Sequence, residues 1–449
     1  MPNHPTLATL TADLAAGRTT ARKLVDDCLA KIADEAGEGA RVFIQADADG
    51  TIAAADAMDK LREVSAAPSP YAGIPVSIKD LFDVEGQVSR AGSLTLKDAP
   101  PAAKDAPVVA RLRRAGFVVI GRTNMTEFAY SGLGINPHYG TPKNPWRRDI
   151  GYVPGGSSSG AAVSITDGMA YGALGTDTGG SCRIPAAYCG IVGYKPTARR
   201  VPLDGGIPLS VTLDSYGPIA RSVGCCAVLD AVLTGEPIAQ VVPRPVRGLR
   251  LAVPTTVMLD DLNPAVARAF ERALDRLADA GALIDHIAVP EFGEVAALNV
   301  GGGFAAAESW AWHRALIAEK AELYDPRVLS RIRRGESLSA ADYVDLLTIR
   351  RPIIAGFERR VAPYDALIAP TVAITPPVMA DLADDAAYVK ANMLSLRNCS
   401  LINILDGCAI SLPCHREGEP PVGLMLAAAG GSDRRIFELA AAIEKIVRA

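Results

Sequence analysis

Two serines stand in glycine-dense segments of this 449-residue chain, 24 residues apart. Ser157 lies within residues 155–160, which read Gly-Gly-Ser-Ser-Ser-Gly, and Ser181 directly follows Gly179 and Gly180. Glycine is costly in backbone entropy and is retained where the chain needs unusual dihedral angles or approaches a ligand closely. The pattern indicates a nucleophilic hydroxyl and a second, proton-relaying hydroxyl beside a row of backbone N–H donors.

A lysine upstream completes this set of groups. Lys79 follows the strand-like run at residues 74–78, in which Val76 and Ile78 indicate an apolar setting. A lysine with the ordinary pKa of about 10.4 is protonated at neutral pH, and burial away from carboxylates lowers that pKa. The neighbouring Asp80 opposes this effect unless the alternation of side chains along a strand turns it away. We therefore predict that Lys79 is the base that activates the serines.

Two other arrangements fit the residues less well. The chain has only 5 histidines, none in a nucleophile elbow or a His-Glu-x-x-His motif, which weakens a Ser-His-Asp triad and favours a lysine base. The glycine-rich loop at residues 155–160 lacks the Gly-x-x-x-x-Gly-Lys-Ser/Thr pattern of a phosphate-binding loop. The combination therefore favours nucleophilic catalysis by serine.

Residues 154–196 resemble the signature segment of the amidase signature family of serine hydrolases. The similarity includes Pro-Ala-Ala-Tyr-Cys-Gly at residues 185–190 and Gly-Tyr-Lys-Pro-Thr at residues 193–197. Flanking pieces at residues 121–129, 141–146 and 364–371 extend it over most of the chain. The lysine motif, the serine-rich loop and the second serine at this spacing make the resemblance specific.

The resemblance implies a Ser–cis-Ser–Lys triad. In this triad Ser181 is the nucleophile, Ser157 the relay and Lys79 the base, and the Gly156–Ser157 peptide bond is cis. The family further implies hydrolysis of an amide through an acyl-enzyme, without a cofactor or a metal. It also implies an α/β fold in which a large mixed β-sheet is sandwiched between α-helices.

Amide hydrolysis also needs donors for the developing oxyanion, because an amide carbonyl is a poor electrophile. The backbone N–H groups of Thr178, Gly179, Gly180 and Ser181 are the candidates, and the glycines keep side chains out of the way. These four residues are our predicted oxyanion and substrate-binding segment.

Four residues around the serines are interpreted as supporting or inert. Asp177 and Arg183 are predicted to form a structural ion pair that braces the oxyanion loop, and Ser158 to hydrogen-bond within its own loop. Cys182 stands where the resembled family usually has an aliphatic residue. We interpret it as a small buried hydrophobe rather than a thiol nucleophile.

Substrate selectivity is predicted to come from outside the triad segment. Residues 301–351 are expected to form helices that cover the site, and Trp310 and Trp312 are candidates for lining the pocket, together with Tyr130. Ordinary helix packing explains the two tryptophans equally well.

Composition limits the partners and the compartment. The net charge is −4, apolar residues make up 49% and charged residues 21%, which favours neither nucleic acid nor an anionic membrane. The 8 cysteines include no Cys-x-x-Cys or metal-type spacing, and the first ten residues lack a secretory signal. We expect a cytoplasmic enzyme with reduced thiols that acts on a small-molecule amide; a homodimer is kept as a hypothesis.

Helical and strand-like segments alternate along the chain, which predicts one α/β domain over residues 1–449. Predicted helices cover residues 11–33, 51–64, 107–115, 264–280, 304–321, 340–357 and 433–447. Predicted strands cover residues 74–78, 117–120, 249–253, 283–289, 366–369, 404–412 and 422–426.

Two classes of function follow from these observations. The preferred hypothesis is a stand-alone amidase that converts a small carboxamide to a carboxylate and ammonia or an amine. The alternatives are the glutamine-hydrolysing A-type component of a tRNA-dependent amidotransferase and a biuret-type carbamoyl-amide hydrolase. The first is preferred because residues after 301 do not match the glutamine-binding part of that amidotransferase component.

Overall fold

The computed structural model describes residues 4–448, and residues 1–3 and 449 of the predicted domain lie outside that range. Eleven strands of the described chain form one mixed sheet in the order β1-β3-β2-β4-β6-β5-β10-β11-β9-β7-β8. Their bounds are β1 Phe43–Ala46, β2 Pro75–Lys79, β3 Val118–Thr123, β4 Gly172–Thr176, β5 Val192–Lys195, β6 Tyr216–Ala220, β7 Arg250–Pro254, β8 Leu283–Ile287, β9 Ala366–Pro370, β10 Cys408–Pro413 and β11 Gly423–Ala428.

Both faces of the sheet are buried, as β11 illustrates. Leu424 and Leu426 belong to one hydrophobic core, whereas Met425 and Ala427 belong to a second core on the opposite face. Successive side chains of a strand point to opposite faces, so helices must cover both sides. The predicted α/β sandwich is confirmed.

Fifteen α-helices of the described chain form these covering layers. They are α1 Leu7–Ala15, α2 Ala21–Ala33, α3 Gly39–Val42, α4 Ala48–Glu63, α5 Pro107–Arg114, α6 Ser159–Thr166, α7 Arg183–Cys189, α8 Val223–Thr234, α9 Pro264–Asp279, α10 Pro290–Glu294, α11 Gly303–Lys320, α12 Pro326–Arg333, α13 Ala340–Val361, α14 Asp385–Ile404 and α15 Asp433–Val447. Short 3₁₀ turns occur at Glu127–Ala129, Val295–Gly302, Ala321–Leu323, Arg334–Ser337 and Met379–Leu382.

Two predicted elements differ from the structure. The single helix expected over residues 11–33 is divided into α1 and α2, because Gly17 adopts a φ of 66° and the Thr20 side chain accepts from the Lys23 N–H to begin a new helix. The strand expected over residues 404–412 is wrong in its first part, since α14 continues to Ile404 and β10 begins only at Cys408. Helix α14 is buried on several sides and has no one-sided apolar pattern that the sequence could reveal.

The sheet brings the two serine segments to the end of β2. Strands β2 and β4 are parallel neighbours, paired through Ile78 and Leu174, so that Lys79 and Thr176 both lie at carboxyl ends. Helices α6 and α7 begin just after Ser157 and Ser181. Ligands of α/β sheets bind at the carboxyl ends of parallel strands, beside the helix N-termini.

Candidate active site

Lys79 is completely buried at the end of β2. Its Nζ donates to Ser157 Oγ at 2.7 Å and to Thr176 Oγ1 at 2.6 Å. Both acceptors are neutral hydroxyls, and burial lowers the pKa of Lys79 to about 7. In a large share of the molecules Lys79 is therefore unprotonated at neutral pH, which is the form that can accept a proton.

The Asp80 carboxylate does not form an ion pair with Lys79, although the two residues are adjacent in the sequence. Its Oδ1 accepts from Arg122 Nε at 2.7 Å and its Oδ2 accepts from the Gly92 N–H at 3.2 Å. Asp80 and Arg122 form a fully buried ion pair. The carboxylate faces away from Lys79, as the alternation of a strand allows.

The loop of Ser157 lies against the loop of Ser181. The Gly156–Ser157 peptide bond is cis, which is the geometry that the family resemblance implied. The Ser158 N–H donates to the Ser181 carbonyl at 3.4 Å, and Ser158 Oγ accepts from the Thr176 N–H at 3.4 Å. Ser158 thus hydrogen-bonds within the loop region and joins the two segments.

Ser181 lines a cavity of about 140 Å³. Only 3% of the residue is exposed, and its Oγ has no hydrogen-bond partner among residues 4–448. Thr178 and Gly179 line the same cavity, as does Tyr130. A carbonyl group in this cavity would meet the Ser181 hydroxyl and the loop that precedes it.

The amide groups of the predicted oxyanion segment are not equivalent. Those of Thr178, Gly179 and Ser181 donate to no acceptor in the described part of the chain. The Gly180 N–H donates instead to Asp177 Oδ1 at 2.9 Å, so it is not available to an oxyanion in this structure. Of the four predicted donors, three therefore lack an acceptor in the described structure, and the Asp177 carboxylate takes the fourth.

Gly180 has a structural reason to be glycine. Its φ is 127°, and a Cβ at this position would lie 2.5 Å from the Cβ of Cys399. Neither the dihedral angle nor the space admits a side chain. The residue lets α14 approach the loop closely.

Asp177 and Arg183 form the ion pair that the sequence suggested. Arg183 Nε and Nη2 donate to the two carboxylate oxygens at 3.0 and 2.9 Å, and both side chains are fully buried. Asn403 Nδ2 also donates to this carboxylate, at 3.0 Å. Burial alone would raise the pKa of Asp177, but the Arg183 guanidinium lowers it to about 2. The ionised carboxylate therefore holds the loop before Ser181 in place.

Sequence reasoning missed Asp214, which anchors the other side of this loop. Its Oδ1 accepts from Thr178 Oγ1 at 2.5 Å, and its Oδ2 accepts from the N–H groups of Leu209 and Ser210. Burial raises the pKa of Asp214 to about 6. No local motif marks it, because it lies 36 residues after Thr178.

Cys182 is a buried thiol beside the nucleophile candidate. It has no exposed surface, and burial raises the pKa of the thiol well above its usual value. Its Sγ donates to the Gly217 carbonyl at 3.5 Å. A thiol in this state is protonated and packed, which agrees with the interpretation as a small hydrophobe.

Trp310 and Trp312 do not line the cavity of Ser181. Trp310 packs against a small core that includes Phe128 and Ile332, and Trp312 is 38% exposed with its ring 5.9 Å from that of Phe128. Both therefore have packing roles outside the cavity. The predicted 301–351 region contributes Ala305 and Arg331 to the lining instead.

Residues 4–448 contain no cluster of His, Cys, Asp or Glu side chains that could hold a metal ion. Within the same range, all eight cysteines are free and buried. None of the helices described combines the length and apolar character needed to cross a membrane.

A family model, curated relatives and a solved structure all match nearly the whole chain. A family model described as Amidase matches residues 23–437. The chain is 39% identical to 2-amino-5-chloromuconic acid deaminase of Comamonas testosteroni, over 99% of this chain and 96% of the relative. It is 31% identical to the A subunit of the glutamyl-tRNA(Gln) amidotransferase of Symbiobacterium thermophilum, over 96% of this chain and 95% of the relative. A crystal structure of an amidase superposes with a TM-score of 0.89 at 28% identity, covering 99% of this chain and all of the other.

Proposed function

The chain belongs to the amidase signature family, and we propose that this amidohydrolase uses Ser181 to cleave the C–N bond of a small carboxamide, giving a carboxylate and ammonia or an amine. The observation that carries the proposal is the contact of Lys79 Nζ with Ser157 Oγ at 2.7 Å inside a fully buried site. A lysine whose pKa is lowered to about 7 and whose partners are hydroxyls is suited to be a general base.

The proposed reaction begins with proton transfer along the two serines. In the proposed step the Ser181 hydroxyl, which has no hydrogen-bond partner in the described structure, rotates to donate to Ser157 Oγ. Neutral Lys79 Nζ accepts the Ser157 proton while Ser157 accepts that of Ser181, whose Oγ attacks the amide carbon. The C=O electron pair moves to oxygen, which faces the N–H groups of Thr178, Gly179 and Ser181. Each such donor typically contributes about 3 kcal/mol to transition-state stabilisation.

Collapse of the tetrahedral intermediate breaks the C–N bond. The proton held by Lys79 returns through Ser157 to the departing nitrogen, which leaves as neutral ammonia or amine. A water molecule then attacks the acyl ester and gives one proton through Ser157 to Lys79. As the ester C–O bond breaks, this proton returns through Ser157 to Ser181 Oγ, and the carboxylic acid loses its remaining proton to solvent as the carboxylate leaves.

We further propose one domain in which residues 301–351 form part of the wall over the site. Arg331 on α12 lines the cavity, and Arg331 Nη1 donates to the Tyr130 carbonyl at 2.6 Å.

The enzyme is proposed to work in the cytoplasm, in line with its free cysteines. The homodimer hypothesis is checked by light scattering of the purified protein.

The relatives supply two further candidate functions. The similarity to the A subunits of amidotransferases supports glutaminase activity with a partner, and the 39% identity to the deaminase supports action on an amino-substituted acid. The cavity lining holds one cation, Arg331, and no carboxylate among the residues described, so the ammonium of glutamine has no counter-ion there. This favours a stand-alone enzyme for a substrate without an ammonium group.

Turnover by the isolated chain separates these functions. The panel contains aliphatic and aromatic amides, biuret, glutamine and 2-amino-5-chloromuconic acid, with ammonia release as the readout. Hydrolysis of simple amides without a partner supports the proposal. The proposal is contradicted if glutamine is the only substrate that releases ammonia and if this release requires an added partner and tRNA.

Activity is expected to rise with pH through about 7. The amine of Lys79 must be neutral to accept a proton, and burial lowers its pKa to about 7. Below that value kcat/KM for a neutral amide should fall about tenfold per pH unit as Lys79 becomes protonated. The pH profile of kcat/KM measures this limb, and a midpoint near the ordinary lysine pKa would contradict the assignment.

Hydroxylamine is expected to intercept the acyl-enzyme as a hydroxamate. The leaving group has departed before the acyl group partitions between water and hydroxylamine. The ratio of hydroxamate to carboxylate should therefore be the same for an amide and an ester of one acid. A ratio that depends on the leaving group would exclude a common intermediate.

A further inference from the structure

The lining of the Ser181 cavity includes unmatched hydrogen-bond donors as well as apolar side chains. We propose that Arg331 and Asn392, which both line this cavity, bind a carboxylate on the acyl part of the substrate. The preferred substrate class is then a small amide that also carries a carboxylate. This inference rests on the amidase function proposed above and specifies its substrate.

Arg331 is a half-buried cation without a carboxylate partner. Its Nη1 donates to the Tyr130 carbonyl at 2.6 Å, and its guanidinium lies 5.2 Å from the ring centre of Tyr388. No carboxylate of residues 4–448 lies within 4.0 Å of it. Arg327, one helical turn earlier, is matched instead by Asp385 at 2.8 Å. The two contacts of Arg331 orient the guanidinium and leave N–H groups free for an anion.

Asn392 presents a second donor to the same cavity. Its Oδ1 accepts from the Gly132 N–H and from Ser131 Oγ, each at 2.9 Å. A backbone N–H can only donate, so the atom facing Gly132 must be the oxygen, and the amide NH₂ points the other way. That NH₂ has no acceptor in the described part of the chain. The Tyr388 hydroxyl donates to Ser131 Oγ at 2.8 Å and so links the two donor residues.

The remaining lining describes the rest of the ligand. Leu209, Leu213, Leu396 and Ile404 supply apolar walls, and the volume of about 140 Å³ admits only a small molecule. An arginine and a carboxylate form short, charge-assisted and often bidentate hydrogen bonds. A group that accepts several hydrogen bonds, carries negative charge and is joined to the amide by a short apolar linker satisfies all of these features.

Matched substrate pairs test the proposal. The purified full chain is assayed with succinamate, glutaramate and adipamate, and with the neutral diamide of each acid. The wild type is expected to prefer the best monoamide over its diamide by about 10-fold or more in kcat/KM. Arg331→Gln should lower kcat/KM for that monoamide by about 100-fold, mainly through KM, and lower kcat/KM for the diamide by about 10-fold or less. Arg331→Lys should recover part of the loss.

Arg333→Gln is the matched control, because Arg333 is exposed on the same helix and does not line the cavity. Equal losses for monoamides and diamides in Arg331→Gln would overturn the proposal and leave Arg331 as a brace for Tyr130. Diamide hydrolysis without any preference for a monoamide would also overturn it, while the proposed amidase function stands. If no amide is hydrolysed, the amidase function fails, and calorimetric titration with glutarate decides the binding site. Binding lost in Arg331→Gln supports the site, whereas equal or absent binding refutes it.

Discussion

Ser181→Ala is expected to lower kcat for any amide substrate by about 10⁵-fold or more, because the nucleophile is removed. The Ser181 hydroxyl has no hydrogen-bond partner among the residues described, so its loss should change the free energy of unfolding by less than about 0.5 kcal/mol. Single-turnover kinetics and thermal unfolding measure the two effects. The variant should still bind substrate.

Ser164→Ala serves as the control for Ser181→Ala. Ser164 is a buried serine of α6 whose Oγ lies 2.9 Å from Ser77 Oγ, away from the cavity. We expect this change to lower stability modestly and to leave kcat near the wild-type value. Retained activity in Ser181→Ala, or equal loss in both variants, would remove Ser181 from the proposed mechanism.

Lys79→Met is expected to lower kcat/KM by about 10²- to 10⁴-fold at neutral pH, the usual contribution of a general base. The limb of the pH profile near 7 should disappear with it. Methionine keeps an unbranched apolar chain of similar length in a fully buried position. Near-native activity in this variant would exclude Lys79 as the base.

Stability should move in the opposite direction to activity in Lys79→Met. Burial lowers the pKa of Lys79 in the folded chain from 10.5 to about 7. The unfolded chain therefore binds the proton more tightly, which lowers the free energy of unfolding. This destabilisation is complete below about pH 7 and becomes smaller as the pH rises towards 10.5. Lys79→Met removes it, so its melting temperature should equal or exceed that of the wild type at pH 6.

Lys195→Met provides the comparison, because Lys195 is also buried and burial lowers its pKa to about 8. Its Nζ donates to the carbonyls of Pro196 and Gly407 at 2.8 and 2.7 Å, and it does not line the cavity. Methionine would leave both carbonyls without this donor, so the variant should be less stable while the folded fraction stays active. Burial and pKa alone do not distinguish the two lysines; their hydrogen-bond partners do.

The sequence predicted those parts of the site that local motifs carry. Lys79, Ser157 and Ser181 each stand in a short, recognisable segment, and Lys79 at the end of β2, which pairs in parallel with β4, contacts Ser157. The alternation of helical and apolar segments likewise predicted the sandwich. These features depend on composition and spacing within a few residues.

Other features depend on contacts between distant segments. Asn392 and Arg331 reach the cavity from α14 and α12, and no motif around either residue indicates this. The competition of Asp177 for the Gly180 N–H depends on the direction of one amide, which residue types do not encode. The sheet order, in which β10 pairs with β5 about 200 residues earlier, also requires the tertiary structure.

Covalent labelling tests the central claim most directly. The wild type, Ser181→Ala and Ser157→Ala are incubated with a fluorophosphonate, which phosphonylates activated serines, and the modified peptide is identified by mass spectrometry. We predict one adduct, on Ser181 of the wild type, that is absent in Ser181→Ala and forms much more slowly in Ser157→Ala. An adduct on Ser157 or Cys182, or an unmodified wild type that is active on amides, would contradict the account.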